Sequence, residues 1–284
     1  MAGPGSIRDR AQAHDQELHD HDRGLSHDLP TLLSRRALML FGGAGLATAL
    51  AGCGITRNND SVTSSPTTSS TAGTASAGTE IPEETAGPYP GDGSNGVNVL
   101  TESGIVRSDI TKSFGSASGV AQGVPLTIKL KVLDTSNASG ALQGAAVYLW
   151  HCNIDGKYSL YSEGVTEENY LRGVQETGSD GSVTFTSVYP AAYSGRWPHI
   201  HFEVYPSLEA ATTASGKLRT SQLALPEATC KLVYATDGYS QSLRNLAQTS
   251  LSTDNVFRDG YSLQLATVTG NVTDGLTASL NVPV

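Results

Sequence analysis

The 284-residue chain holds 31 glycines, only 16% charged residues and a formal net charge of −9. That composition favours a loop-rich β protein over a helical one. The acidic balance argues against nucleic acid and acidic lipid surfaces as electrostatic partners, since neither attracts an acidic face.

Residues 1–33 are polar, hold four of the seven histidines (His14, His19, His21, His27) and show neither helical nor strand period. Arg35-Arg36 then precede an apolar run ending at Leu50. A twin arginine before a short apolar stretch resembles a twin-arginine export signal. The stretch is too short and too glycine-rich for a spanning helix. Leu50-Ala51-Gly52-Cys53 reads as a lipobox with Cys53 as the lipidated residue. Residues 1–52 are thus expected to be the signal peptide. Residues 53–79, dominated by Ser, Thr, Gly and Ala, bury too little apolar surface to order and read as a flexible tether. The expectation is export as a cell-surface lipoprotein or secreted protein, touching the membrane only through its lipid. In that oxidising setting the remaining even pair, Cys152 and Cys230, is expected to form a disulfide.

Residues 80–284 read as one domain of short strands. Leu126–Val132 alternates apolar and polar, as a half-buried strand does. Ala145–Trp150 is a short apolar run suited to an interior strand, and Ser182–Val188 alternates after the turn cluster Gly178–Gly181. His199–Tyr205, Tyr261–Thr269 and Leu276–Val282 complete the series. Only Tyr239–Thr249 looks helical, with Leu243 and Leu246 on one face and Asp237 or Ser240 as cap. The fold class expected is all-β: a β-sandwich with a short helix and long active-site loops.

Outside the signal region only His151, His199 and His201 remain. In a strand, His199 and His201 point to the same side about 7 Å apart, close enough to share a metal. Trp150–Tyr158 runs off a strand through an Asp-Gly turn to a tyrosine, and Tyr193 lies upstream of the pair. Two phenolates and two imidazoles make a hard, anionic set that favours Fe(III) over zinc or copper(I). Spacing alone does not choose between Tyr158 and Tyr161, or between Tyr189 and Tyr193. No Asp or Glu stands at the spacing of a facial triad, which weighs against an Fe(II) oxygenase.

Thr85–Pro90, Gly144–Trp150, Asp155-Gly156-Lys157-Tyr158, Leu171-Arg172-Gly173, Thr177–Gly181 and Tyr193…Arg196-Trp197-Pro198-His199-Ile200-His201-Phe202 occur in that order. Together, over about residues 80–235, they resemble the intradiol ring-cleavage dioxygenases, the protocatechuate and catechol dioxygenase family. The resemblance implies non-haem Fe(III) held by Tyr158, Tyr193, His199 and His201, although this chain is shorter between Tyr193 and Arg196. It implies that Arg196 and Gln222 serve the reacting centre and that Tyr193 gives way to substrate. The implied reaction splits a small aromatic diol between its hydroxylated carbons with O2, giving a muconate-type diacid. The short approach to the first strand resembles the compact protocatechuate-like branch, yet no Lys or Arg cluster awaits a substrate carboxylate. Catechol, hydroxyquinol and bulkier plant-derived catechols remain open, as does a homo-oligomer. The rival expectation is a non-catalytic cell-surface β-sandwich that binds a partner.

Overall fold

The structure, a computed structural model, describes residues 79–138 and 140–284. Arg35, Arg36, the lipobox with Cys53 and the tether up to residue 78 lie outside the described residues. Among the described residues no helix is long and apolar enough to cross a membrane.

In chain order the strands are β1 (Pro125–Asp134), β2 (Gly140–Ala141), β3 (Ala146–Trp150), β4 (Arg172–Glu176), β5 (Ser182–Val188), β6 (His199–Tyr205), β7 (Arg219–Ala224), β8 (Thr267–Asn271) and β9 (Gly275–Pro283). They form two sheets. In the first, β1 pairs in parallel with β9 and antiparallel with β5 and β2, and β8 closes against β9. In the second, β4, β3, β6 and β7 are antiparallel neighbours in that order. The all-β sandwich expected from the alternating patterns is what forms.

The core lies between the sheets. Leu126, Ile128, Leu130 and Val132 of β1 meet Val147, Leu149, Ile200, Phe202, Val204 and Leu223 of the second sheet. Burying each such side chain contributes about 1.5–3 kcal/mol. On β6 every residue is buried. Ile200, Phe202 and Val204 enter this core, so alternation sends His199, His201, Glu203 and Tyr205 to the opposite face. A second apolar cluster covers that face, with Tyr148, Trp150, Tyr158 and Tyr205 among its members.

Among the described residues three α-helices accompany the sheets: α1 (Leu208–Thr212), α2 (Glu227–Tyr234) and α3 (Ser240–Leu246). The first two were not expected. α1 is a single short turn capped by Ser207, whose hydroxyl accepts from Ala210 N–H. α3 is shorter than expected, and Tyr239, not Asp237 or Ser240, stands at its N-cap without a side-chain cap. Leu246 is buried there but Leu243 is 43% exposed, so the two do not share a core face. The strand expected over 261–269 narrows to β8, because Gln264 and Leu265 N–H bond back to Tyr261 O in a turn.

The expected disulfide does not form: Cys152 and Cys230 are buried free thiols. Cys152 packs with Trp150 and Tyr158 on the covered outer face, its sulfur 3.7 Å from Ala191 O. Cys230, on α2, sits in the inter-sheet core 3.2 Å from the Tyr189 hydroxyl. Each thiol thus belongs to a different apolar cluster with its own polar partner, and burial pushes both up to about 12.

Candidate metal centre

Strand β6 presents His199 and His201 on one face with their Nε2 atoms 3.1 Å apart. Tyr158 Oη lies 3.3 Å from His201 Nε2, and Tyr193 Oη lies 3.1 Å from His199 Nε2. The two phenol oxygens are 3.4 Å from each other. Four donor atoms therefore close a ring, at the place where the paired histidines and two of the eleven tyrosines meet.

Local chemistry delivers each tyrosine. Asn153 Oδ1 accepts from Asp155 and Lys157 N–H, which shapes the turn, and Tyr158 N–H is held by Ser162 Oγ. Gly156 in that turn has φ +79, and a Cβ there would stand 3.2 Å from Tyr193 Cβ. Glycine therefore lets the two tyrosine-bearing segments touch. Before Tyr193, Ala192 is fastened to α3 by Ser242 Oγ and Asn245 Nδ2. The other candidates point elsewhere. Tyr161 Oη donates to Asn95 Oδ1 and accepts from Gly91 N–H, and Tyr189 meets Cys230.

The histidines are held in different ways. His199 Nδ1 donates to Trp197 O at 2.5 Å, which leaves its Nε2 lone pair directed at the ring of donors. His201 Nδ1 has no hydrogen-bond partner among the described residues. Its imidazole is instead stacked on the Trp150 indole, with centroids 4.9 Å apart and planes within 7°. The strap over 85–91 closes the other side: a Cβ on Gly87, whose φ is +72, would stand 3.3 Å from His201 Cε1.

Arg172, Trp150, His201 and Gln222 form one cross-strand rung over β4, β3, β6 and β7. Arg172 is buried and fastens the strap by donating to Tyr89 O and Pro90 O. Gln222 fastens it further along, from Nε2 to Thr85 O at 2.9 Å, and its Oε1 accepts from Arg196 Nη2 at 2.7 Å. Arg196 Nε donates to Asp254 Oδ2 at 2.9 Å. Asp254, Trp150 and Arg172 had no assigned role in the sequence reading. Nothing in the Ser/Thr-rich run before Asp254 links it to an arginine 58 residues away.

Burial raises both the Tyr158 and the Tyr193 phenol, an effect that Arg196 only partly offsets. Burial, then Arg196, lowers His199 to about 3, and burial with His199 beside it holds His201 well below the usual imidazole range. The imidazoles are therefore neutral, as metal ligands must be, and the phenols ionise only next to a strong cation. Among the described residues no group of three or more His, Cys, Asp and Glu could hold a metal. Any ion here needs the tyrosine oxygens. The donors are two N and two O with no thiolate, which fits a hard, highly charged ion such as Fe(III).

Residues 106–213 match a family model described as dioxygenase. That span includes Tyr158, Tyr193, Arg196, His199 and His201 but stops before Gln222 and Asp254. Over 62 residues the chain is 37% identical to chlorocatechol 1,2-dioxygenase of Rhodococcus opacus, covering 22% of this chain and 23% of that protein. Over 72 residues it is 32% identical to hydroxyquinol 1,2-dioxygenase of a Rhizobium species, covering 25% and 24%. Each match thus spans about a quarter of the curated relative. An intradiol ring-cleavage dioxygenase from Tetranychus urticae superposes with a TM-score of 0.53 at 25% identity, over 64% of this chain and 87% of that one. Residues 106–213 are therefore similar to a dioxygenase domain, and the chain shares its fold with an intradiol ring-cleavage dioxygenase.

Proposed function

We propose that the protein is a non-haem Fe(III) dioxygenase that cleaves catechol-type diols between the two hydroxylated carbons, yielding muconate-type diacids. The observation that carries this reading is the closed ring of Tyr158, Tyr193, His199 and His201 donor atoms. Fe(III), held by these four side chains, would supply the Lewis acidity that activates the diol and the electronics that open the ring to O2. Both oxygen atoms enter the product as the ring C–C bond breaks, so no external reductant is needed.

The chain supplies geometry, charge and proton acceptors. Tyr158 and the two imidazoles would hold the ion as fixed donors. Tyr193, half-buried in the loop between Ala192 and Arg196, would yield its place to the incoming diol and, as a phenolate, take one diol proton at Oη. Arg196 meets the negative charge that develops on the ring. In a dry pocket such a donor contributes about 3 kcal/mol to the transition state. Gln222 keeps Arg196 aligned from the neighbouring strand.

Purified protein containing iron should be red-brown and should consume O2 with catechol, hydroxyquinol or a bulkier diol. Colourless iron-loaded protein, or a coloured protein inert to every diol, overturns the reading. The same proposal has the domain exported through Arg35-Arg36 and tethered through Cys53. Replacing both arginines with lysine should strand the precursor in the cytoplasm. Cys53→Ala should release the protein from the membrane fraction, and unchanged membrane association would refute the anchor.

A further inference from the structure

Arg196 is buried, and a flexible guanidinium serves a reacting centre only if one rotamer is imposed on it. The group that imposes it lies outside the rung of strands. Asp254 is almost completely buried (1% exposed) and takes Arg196 Nε at 2.9 Å and Nη2 at 3.5 Å. The carboxylate is itself immobilised by three backbone donors: Trp197 N–H at 2.7 Å, Val256 N–H at 2.9 Å and Phe257 N–H at 3.2 Å. Trp197 is the residue whose carbonyl orients His199. One carboxylate thus grips both Arg196 and the backbone segment that aims a candidate ligand. Beyond Asp254, Arg196 Nη2 reaches Gln222 Oε1, directly across from His201 in the sheet register. Nη1 makes no hydrogen bond among the described residues.

We propose that Asp254 is a positioning residue that clamps Arg196 along its Nε edge, so that Nη1 is presented to the charge developing on the diol. This rests on the ring-cleavage reading for its chemistry, while the clamp itself is a structural claim. Arg196 acts on the substrate; Asp254 reaches the substrate only through Arg196, and its hold on Trp197 N–H is a separate structural contact.

Two variants separate the roles. Asp254→Asn keeps the shape and removes the charge. Asp254→Ser keeps a hydroxyl for the Val256 and Phe257 N–H groups but no longer reaches Arg196. In iron-loaded protein kcat should fall about 10²-fold, the scale for losing one charge-stabilising donor, while KM, colour and iron content stay close to the parent. In an Arg196→Met background the same Asp254 changes should alter kcat by less than about 3-fold, because residues acting as one unit are non-additive. Equal losses in both backgrounds would mean that Asp254 serves only the fold, and would overturn the proposal. A crystal structure of Asp254→Ser should show the guanidinium displaced from Gln222. Arg196 found in its original rotamer there overturns the clamp whether or not the parent cleaves diols. A parent inactive on all diols would instead overturn the ring-cleavage reading and leave the crystallographic result to decide the clamp.

Discussion

The two sheets obey the same alternation and use it differently. On β1, Leu126, Ile128, Leu130 and Val132 face the core while Lys129 and Lys131 face solvent. Lys129, Lys131, Ser182, Thr184, Ser279 and Asn281 line an open cavity of about 330 Å³ on that sheet. On β6 both faces are buried, because the strap, α1 and the loops carrying Tyr158 and Tyr193 cover the second one. A polar side chain on the first sheet is satisfied by water. On the second it must find a protein partner or a ligand. Glu203 shows the rule: it is fully buried beside His201 and is paired with Lys217 and the Tyr205 hydroxyl. His199, His201, Tyr158 and Tyr193 have one another, an arrangement suited to a cation.

The sharpest way to break this contrast is to remove a histidine. His199→Ala or His201→Ala should abolish colour and turnover while the fold survives a cavity cost of about 2–3 kcal/mol. Metal analysis with circular dichroism checks it, and full iron occupancy in either variant would sink the site. The tyrosines should differ next. Tyr158→Phe removes a fixed donor and should weaken iron retention and bleach the visible band. Tyr193→Phe should keep iron but slow diol binding in stopped-flow spectra, with partial rescue at higher pH as solvent supplies the base. Identical binding rates in Tyr193→Phe and the parent would rule out exchange at this residue.

Smaller effects follow from how each histidine is held. Gly87→Ala places a methyl group against His201 and strains a left-handed position, at a cost of about 1–2 kcal/mol. Iron should then be lost to a chelator about 10-fold more readily, the scale seen when a ligand's outer support fails. Retention equal to the parent would show that the strap does not position His201.

Asp254 gives the next effect, in acid. Burial raises its carboxyl, but Arg196 and the Trp197 N–H outweigh that and hold it below the usual range. Its contribution to stability is therefore fully present above the ordinary carboxylate value of about 4 and is lost as pH falls through the lower folded value. The Tm difference between the parent and Asp254→Asn should be constant from neutral pH down to about 5 and shrink below about 4. A gap unchanged at pH 2–3 would contradict the pairing. The smallest effect belongs to the solvent face of the other sheet. Lys129→Ser with Lys131→Ser should shift stability by no more than about 0.5 kcal/mol and leave turnover unchanged.

Much of this was legible in the residue order. Ser182–Val188 and His199–Tyr205 are bounded in the structure where their alternation and flanking turns placed them. His199-Ile200-His201 had to share a face once the segment was a strand, because side chains alternate with period 2. Local spacing failed where partners come from afar. It did not distinguish Tyr193 from Tyr189; the family resemblance favoured Tyr193. In the structure α3 fastens Ala192, and Tyr189 turns into the core toward Cys230. It also misled for Cys152 and Cys230, since an even count of cysteines carries no information about which apolar cluster each one enters.

The sequence by itself determined the strand alternation, the turn chemistry at Gly156 and the histidine pair, because these depend on neighbours within a few residues. Only the tertiary structure decided which face of β6 is covered, what orients each imidazole and how Arg196 is gripped. Those outcomes rest on contacts between segments tens of residues apart, such as Trp150 on His201, Gly87 over His201 and Asp254 on Arg196. Packing and buried charge pairing select such partners once the chain has closed on itself, and no local pattern encodes them.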